Sequence, residues 1–155
     1  MEEKEIEEWI EALSFPDVER NDVPLCPYAK QAWKKGQVKV VHTEDLWEDV
    51  FSQVDEFDDT YKVVMCLQGV PEQEYAELEA SCMSLNRWFA RNNMDIWLLS
   101  YQEDEAIVFV QRLSHLDDAA EALQKLGYYD NYDVEDYQRL IKQRTAFRRR
   151  NKDAW

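Results

Sequence analysis

Cys26 sits directly before Pro27 in the stretch Leu25-Cys26-Pro27-Tyr28-Ala29-Lys30, and it is the side chain of this chain best placed to act as a nucleophile. Proline suits the first turn of a helix, and the residue before it is pushed out of the helical region. The spacing therefore predicts Cys26 as the N-cap of a short helix that ends at Gly36. A thiol in that position faces free backbone N–H groups and the positive end of the helix dipole, both of which favour thiolate. The histidines available as a base are His42 and His115, and His42 closes the strand that follows the motif helix. Cys26 and His42 are thus the candidate catalytic pair. The competing reading of Cys26 is a half-buried cap that serves packing and turn geometry, since cysteine is among the most buried residue types.

Other chemistry is thinly provided. The cysteines are Cys26, Cys66 and Cys82, odd in number and without a C-x-x-C pair, so neither a disulfide framework nor a zinc knuckle is indicated. The acidic runs Asp55-Glu56-Phe57-Asp58-Asp59 and Gln102-Glu103-Asp104-Glu105 lack the Gly and terminal Glu of a calcium loop and read as solvated surface. Glycines stand only at 36, 69 and 127, which disfavours P-loop and dinucleotide-binding motifs. No metal and no cofactor is expected.

The aromatic residues suggest binding instead. Tyr128, Tyr129, Tyr132 and Tyr137 cluster just before a basic segment that contains Arg144 and Arg148. Tyr and Arg are enriched at binding hot spots, so these six residues form a candidate surface for a protein partner or a second copy of the chain. Charge is just as uneven. The net charge is −15, yet from Arg139 onward seven basic residues face one acid, giving a tail of +6 after a body of −21. Such a body repels nucleic acid, and only the tail offers a polyanion site.

The elements that must hold these residues alternate between helix and strand. Ile6, Trp9, Ile10 and Leu13 mark an opening amphipathic helix over 3–13, and 14–25 reads as a loop. After the motif helix, 37–42 is a strand, Thr43 caps the next helix, and Leu46, Trp47, Val50, Phe51, Val54 and Phe57 form its apolar stripe. The run 61–67 is near-continuously apolar, as expected of a central strand. Pro71 opens a long helix whose core face includes Leu78, Cys82 and Phe89, and 94–101 with 106–111 predicts an antiparallel hairpin. Ser114 with Asp117 resembles a capping box for a helix ending at Gly127, and Asp133 opens the final basic helix.

The order from Gln37 is β-α-β-α-β-β-α, which predicts an α/β (α+β) fold: a mixed four-stranded sheet with helices packed on it, and thioredoxin-like topology as one possibility. At 155 residues one domain over 1–155 is expected, with the basic helix and tail over 133–155; a chain of this size buries roughly 70% of its unfolded surface. No apolar run approaches the roughly 20 residues of a membrane span, and the acidic start reads as a helix rather than a signal peptide, so a cytoplasmic protein is expected.

Cys26-Pro27-Tyr28-Ala29 looks like the Cys-Pro-Tyr-Cys of glutaredoxins, with Ala29 in place of the resolving thiol and no strand ahead of it. A resemblance over more of the chain is to the bacterial family catalogued as domain of unknown function 1415. Leu25-Cys26-Pro27-Tyr28-Ala29-Lys30 followed by Gly36-Gln37-Val38-Lys39-Val40-Val41 is similar to that family's Leu-Cys-Pro-Phe-Ala-Lys segment and first strand, and the similarity extends through Ser100-Tyr101. The family carries a His-Pro pair after its third strand where this chain has Tyr101-Gln102-Glu103-Asp104. The resemblance brings no activity, and a base or co-ligand supplied by that histidine is replaced here. The acidic, Trp-rich composition also resembles small uncharacterised proteins of marine bacteriophages. Taken together, these residues lead us to expect a non-catalytic accessory or interaction protein, with a cysteine-dependent enzyme or thiol carrier centred on Cys26 as the alternative.

Overall fold

The computed structural model describes residues 1–13 and 28–150, the last of these by its backbone alone. The described chain forms two compact units, one of Gln37–Leu113 and one of Met1–Gly36 with Ser114–Arg150.

The first of these is the sheet unit. Its order is β1 (Val38–His42), α3 (Leu46–Asp55), β2 (Val63–Gln68), α4 (Tyr75–Arg91), β3 (Trp97–Gln102) and β4 (Ala106–Gln111). The four strands make one mixed sheet in the order β1-β2-β4-β3. β1 and β2 are parallel, with Val38 opposite Val63, and β4 is antiparallel to both β2 and β3. The apolar run expected to be central is β2, an inner strand buried from Val64 to Gln68. The expected hairpin is β3–β4, with Gln102 opposite Ala106.

The element order is thus the predicted one, but the strand order is not thioredoxin-like. A thioredoxin-like sheet has its first strand inside, whereas β1 lies at an edge here. The chain steps from β1 to β2 and on to β3 in one direction, leaving a gap that β4 fills. Right-handed crossovers that advance in one direction place their helices on the same side. Accordingly α3 and α4 share one face: Val50 and Val54 of α3, and Leu78, Cys82 and Phe89 of α4, join Val64, Cys66, Leu98, Val108 and Val110 in one core. On the other face Met65, Leu67, Trp97 and Ile107 are buried as well.

Several local expectations shift. Asp45, not Thr43, caps α3, its carboxylate accepting from the Glu48 N–H at 3.2 Å. Thr43 still belongs to the sheet, since its N–H and its hydroxyl both donate to the Leu67 carbonyl. α4 starts at Tyr75 rather than Pro71, because the Gln73 carbonyl accepts from the Gln102 side chain instead of opening the helix. Asn86, fully buried, accepts from the Leu98 N–H at 2.7 Å and donates to the Leu98 carbonyl at 2.9 Å. Those two groups lie on an edge strand, and among the described residues no strand lies beyond them to bond. Arg112, after β4, grips Asp59 with two bonds of 2.9 and 3.0 Å and lies 4.8 Å from the Phe57 ring centroid.

In the second unit α1 (Glu3–Leu13) lies against α2 (Ala29–Lys34) and turns Ile6 and Ile10 inward. α5 spans Leu113–Lys125. It therefore begins before Ser114, so Ser114 and Asp117 sit in its first turns and take other partners. Gly127, at φ +79°, follows its C-terminus, and the Tyr128 N–H bonds back to the Leu123 carbonyl. Asp133 does cap the final helix, accepting from the Asp136 N–H at 2.9 Å. That helix is interrupted: a short α6 (Val134–Asp136) passes through a π-helical segment, Tyr137–Lys142, into α7 (Gln143–Arg150).

Candidate functional site

Cys26 lies outside the described residues, and so does its pairing with His42. His42 is exposed at the end of β1, and His115 is exposed on α5. The N-cap position of α2 falls to Tyr28, two residues beyond Cys26, and the Ala32 N–H bonds to the Tyr28 carbonyl at 3.0 Å. The helix has only six residues, and a dipole summed over so few peptides is a weak source of thiol activation. The other two cysteines are packing groups. Cys66 of β2 and Cys82 of α4 are buried in the sheet core, and burial pushes each thiol up to about 12.

The aromatic and basic residues singled out in the sequence do come together, chiefly on one another. Tyr129 is the hub: its ring centroid is 4.9 Å from Tyr128, 5.2 Å from Tyr132 and 5.4 Å from Tyr137, in edge-on geometries that favour aromatic pairs. All four rings are half-buried. Tyr137 opens the π segment and Arg144 follows its end by two residues, so the wide turn lets both reach Tyr129. Arg144 is 7% exposed, and desolvation lowers its pKa against the pull of Tyr129, Tyr132 and Asp117. Its Nε is buried without a hydrogen-bond partner among the described residues. Desolvation is likewise the main cause that pushes Tyr129 up to about 12.

Arg148 is engaged elsewhere. It donates to the Ser114 carbonyl at 3.1 Å and to the carboxylates of Asp117 and Asp118, while Thr145 donates to Asp117 at 2.7 Å. The basic end of the chain is thus held to acids of α5, and Arg139 pairs with Asp136 at 3.1 Å. A guanidinium buried with an unsatisfied nitrogen contributes little net stability, and an apolar side chain of similar length commonly replaces such a group without loss. Arg144→Met is therefore expected to hold stability within about 1 kcal/mol of the parent, whereas Arg144→Ala, which also leaves a cavity, lowers it by about 2–3 kcal/mol. Calorimetric melting of both variants checks this; equal losses refute it.

The surface that sequence reasoning missed lies on the sheet unit, between α3 and α4. Trp47, Phe51, Ala80, Ser81, Ser84 and Leu85 line an open groove of about 450 Å³. Phe51 is 45% exposed, and Trp88, one turn beyond Ser84 on α4, is 54% exposed. The Trp47 indole N–H donates to Gln73 Oε1 at 3.1 Å, which fixes that ring as a wall. The sequence groups α3's apolar residues into one wide stripe without separating core from surface. In fact Leu46, Val50 and Val54 are buried and Trp47 packs half-buried against the same core, while Phe51 is left exposed at the groove. The available signal was the width of the stripe, since one row suffices to seat a ten-residue helix on a sheet.

Among the described residues no group of three or more His, Cys, Asp or Glu is placed to hold a metal ion, and no helix is long and apolar enough to cross a membrane. No protein-family profile, curated protein or solved structure matches the chain.

Proposed function

We propose that this protein is a non-catalytic interaction module and that its partner surface is the outward groove of α3 and α4. The observation that carries the reading is the exposure of Phe51 and Trp88 beside a groove lined by Trp47, Ala80 and Leu85 together with Ser81 and Ser84. Large aromatic groups left in water around a concavity are the composition of a binding hot spot, where their burial contributes most of the affinity. The tyrosines and Arg144 of the second unit serve this reading less well, because their rings and the guanidinium already contact each other.

Site-specific photocrosslinking in the native host tests the proposal. With p-benzoylphenylalanine at position 51, irradiation is expected to give a discrete adduct of defined mass. The same group at Leu126, 80% exposed in the other unit, gives none. No adduct at 51, or the same pattern from both positions, defeats the reading.

A further inference from the structure

We infer that the groove between α3 and α4 receives a basic amphipathic helix of a partner protein, an inference that rests on the interaction reading above and names the class of its partner. Both walls are helices, whose backbone N–H and C=O groups are bonded internally. An extended peptide laid between them finds no strand edge to pair with. A helix brings its own backbone bonds and needs only side-chain contacts, so it is the element that fits. The floor suits it: Ala80, Ser81 and Ser84 are small enough for close approach, and Leu85, Trp47 and Phe51 supply apolar contact.

The charge around the groove gives the occupant its sign and its direction. α3 and α4 each lead from one parallel strand to the next, so they run the same way and their N-termini lie together, as the Trp47–Gln73 bond shows. At that end Glu44 and Glu48 stand exposed beside α3, and Glu74 and Glu77 beside α4. Residues 44–59 include no basic side chain at all. α4 carries its two arginines at the opposite end, Arg87, which reaches Ser84 Oγ at 3.4 Å, and Arg91. Along the α4 wall the charge therefore runs from negative to positive, while the α3 wall stays acidic to Asp55 and Glu56 at its far end. A docked helix places its lysines or arginines over the glutamates and a neutral or acidic turn beside Arg87. From Glu77 to Trp88 the α4 wall spans roughly 16 Å, about three turns of partner helix.

Three synthetic peptides on one leucine-tryptophan helical template test this against the full chain, with amide chemical shifts as the readout. One has lysines along the polar face of its first half, one has glutamates there, and one has the lysine composition shuffled to destroy the apolar face. The lysine peptide is expected to bind at least tenfold more tightly than either of the others, to shift residues 44–51 and 77–88, and to weaken severalfold in high salt. Phe51→Asp should weaken it tenfold or more, and because Phe51 is exposed the fold should tolerate the change. The pair Glu48→Lys with Glu77→Lys should reverse the preference toward the glutamate peptide. Equal binding of all three peptides, shifts elsewhere, or an unchanged preference after charge reversal overturns the inference. An adduct at position 51 combined with no peptide preference overturns the helix and leaves the interaction reading standing; the absence of any adduct defeats that reading itself. If the trapped species is a second copy of this chain, the partner class is wrong.

Discussion

Asn86→Ala is expected to lower the stability of the sheet unit by about 3 kcal/mol, a fall in melting temperature of about 10 °C for a chain of this size. The size of the effect reflects the groups left behind. Leu98 loses the acceptor of its N–H and the donor to its carbonyl together, both inside a buried site. Each orphaned buried group costs about 1–3 kcal/mol. Asn92→Ala is the matched control, since its exposed amide merely donates to the Trp88 carbonyl, and it should cost under about 1 kcal/mol. Asn86→Asp sharpens the assignment through its pH dependence. A protonated carboxyl reproduces both bonds, while a buried carboxylate can only accept. Its folded-state pKa is therefore raised, and the variant's stability should increase as the solution is acidified through that pKa, opposite to the trend for paired surface carboxylates. Urea titrations read by tryptophan fluorescence supply these values. A loss below about 1 kcal/mol for Asn86→Ala shows that water replaces the amide and ends the argument.

Alkaline unfolding is the second large effect. Cys66 and Cys82 rise from 9.0 in the unfolded chain to about 12 when folded, with desolvation the main cause in both. A raised thiol pKa means that the fold favours the neutral form. The stabilisation is complete below pH 9 and disappears as pH climbs through 12. For each thiol a rise of that size amounts to about 4 kcal/mol at the top of that window, a large fraction of the typical 5–15 kcal/mol of a domain. Cooperative unfolding should thus occur between pH 9 and pH 12, and Tyr129 pulls in the same direction above pH 10. The variant Cys66→Val with Cys82→Ala should begin less stable yet lose less between pH 9 and pH 11. Identical slopes for parent and variant rule the thiols out. Because both of these thiols are hidden, native thiol titration below pH 8 is expected to read neither of them.

How far the fold was legible depended on whether a signal was local. The continuous apolar run at Val63–Gln68 announced an inner strand because only a strand covered on both faces is so uniformly apolar. The hairpin followed from two β-rich runs joined by a short acidic turn, and Asp133 from its offset to Asp136. The thioredoxin-like strand order failed because a crossover helix has the same sequence pattern whichever way it carries the chain. Thr43 and Asp45 are both capable caps, and only the ladder bond from Thr43 to Leu67 decides between them. The π segment at Tyr137–Lys142 has no composition of its own, and its reason is tertiary, the simultaneous seating of Tyr137 and Arg144 around Tyr129. The clustering of the tyrosines was visible in the sequence, whereas their half-burial was not. The groove escaped notice because Trp47 and Phe51 satisfy the same periodicity as the core residues beside them.

The place of β4 between β2 and β3 has a consequence for how the chain is made. Emerging from the ribosome, residues up to about 70 complete the parallel pair β1–β2, but β3 then arrives with no neighbour, because its seat in the sheet is separated from β2 by the width of an absent strand. Asn86 can tie α4 to β3 during that interval, yet the nascent sheet holds two open flanks until Gln111 has cleared the exit tunnel. Any pause in translation before that point exposes an apolar slot shaped for one strand, the site at which a second nascent chain would insert. Synthesis of this protein is therefore most vulnerable to misassembly late, within the few residues that separate the β3–β4 turn from the end of β4.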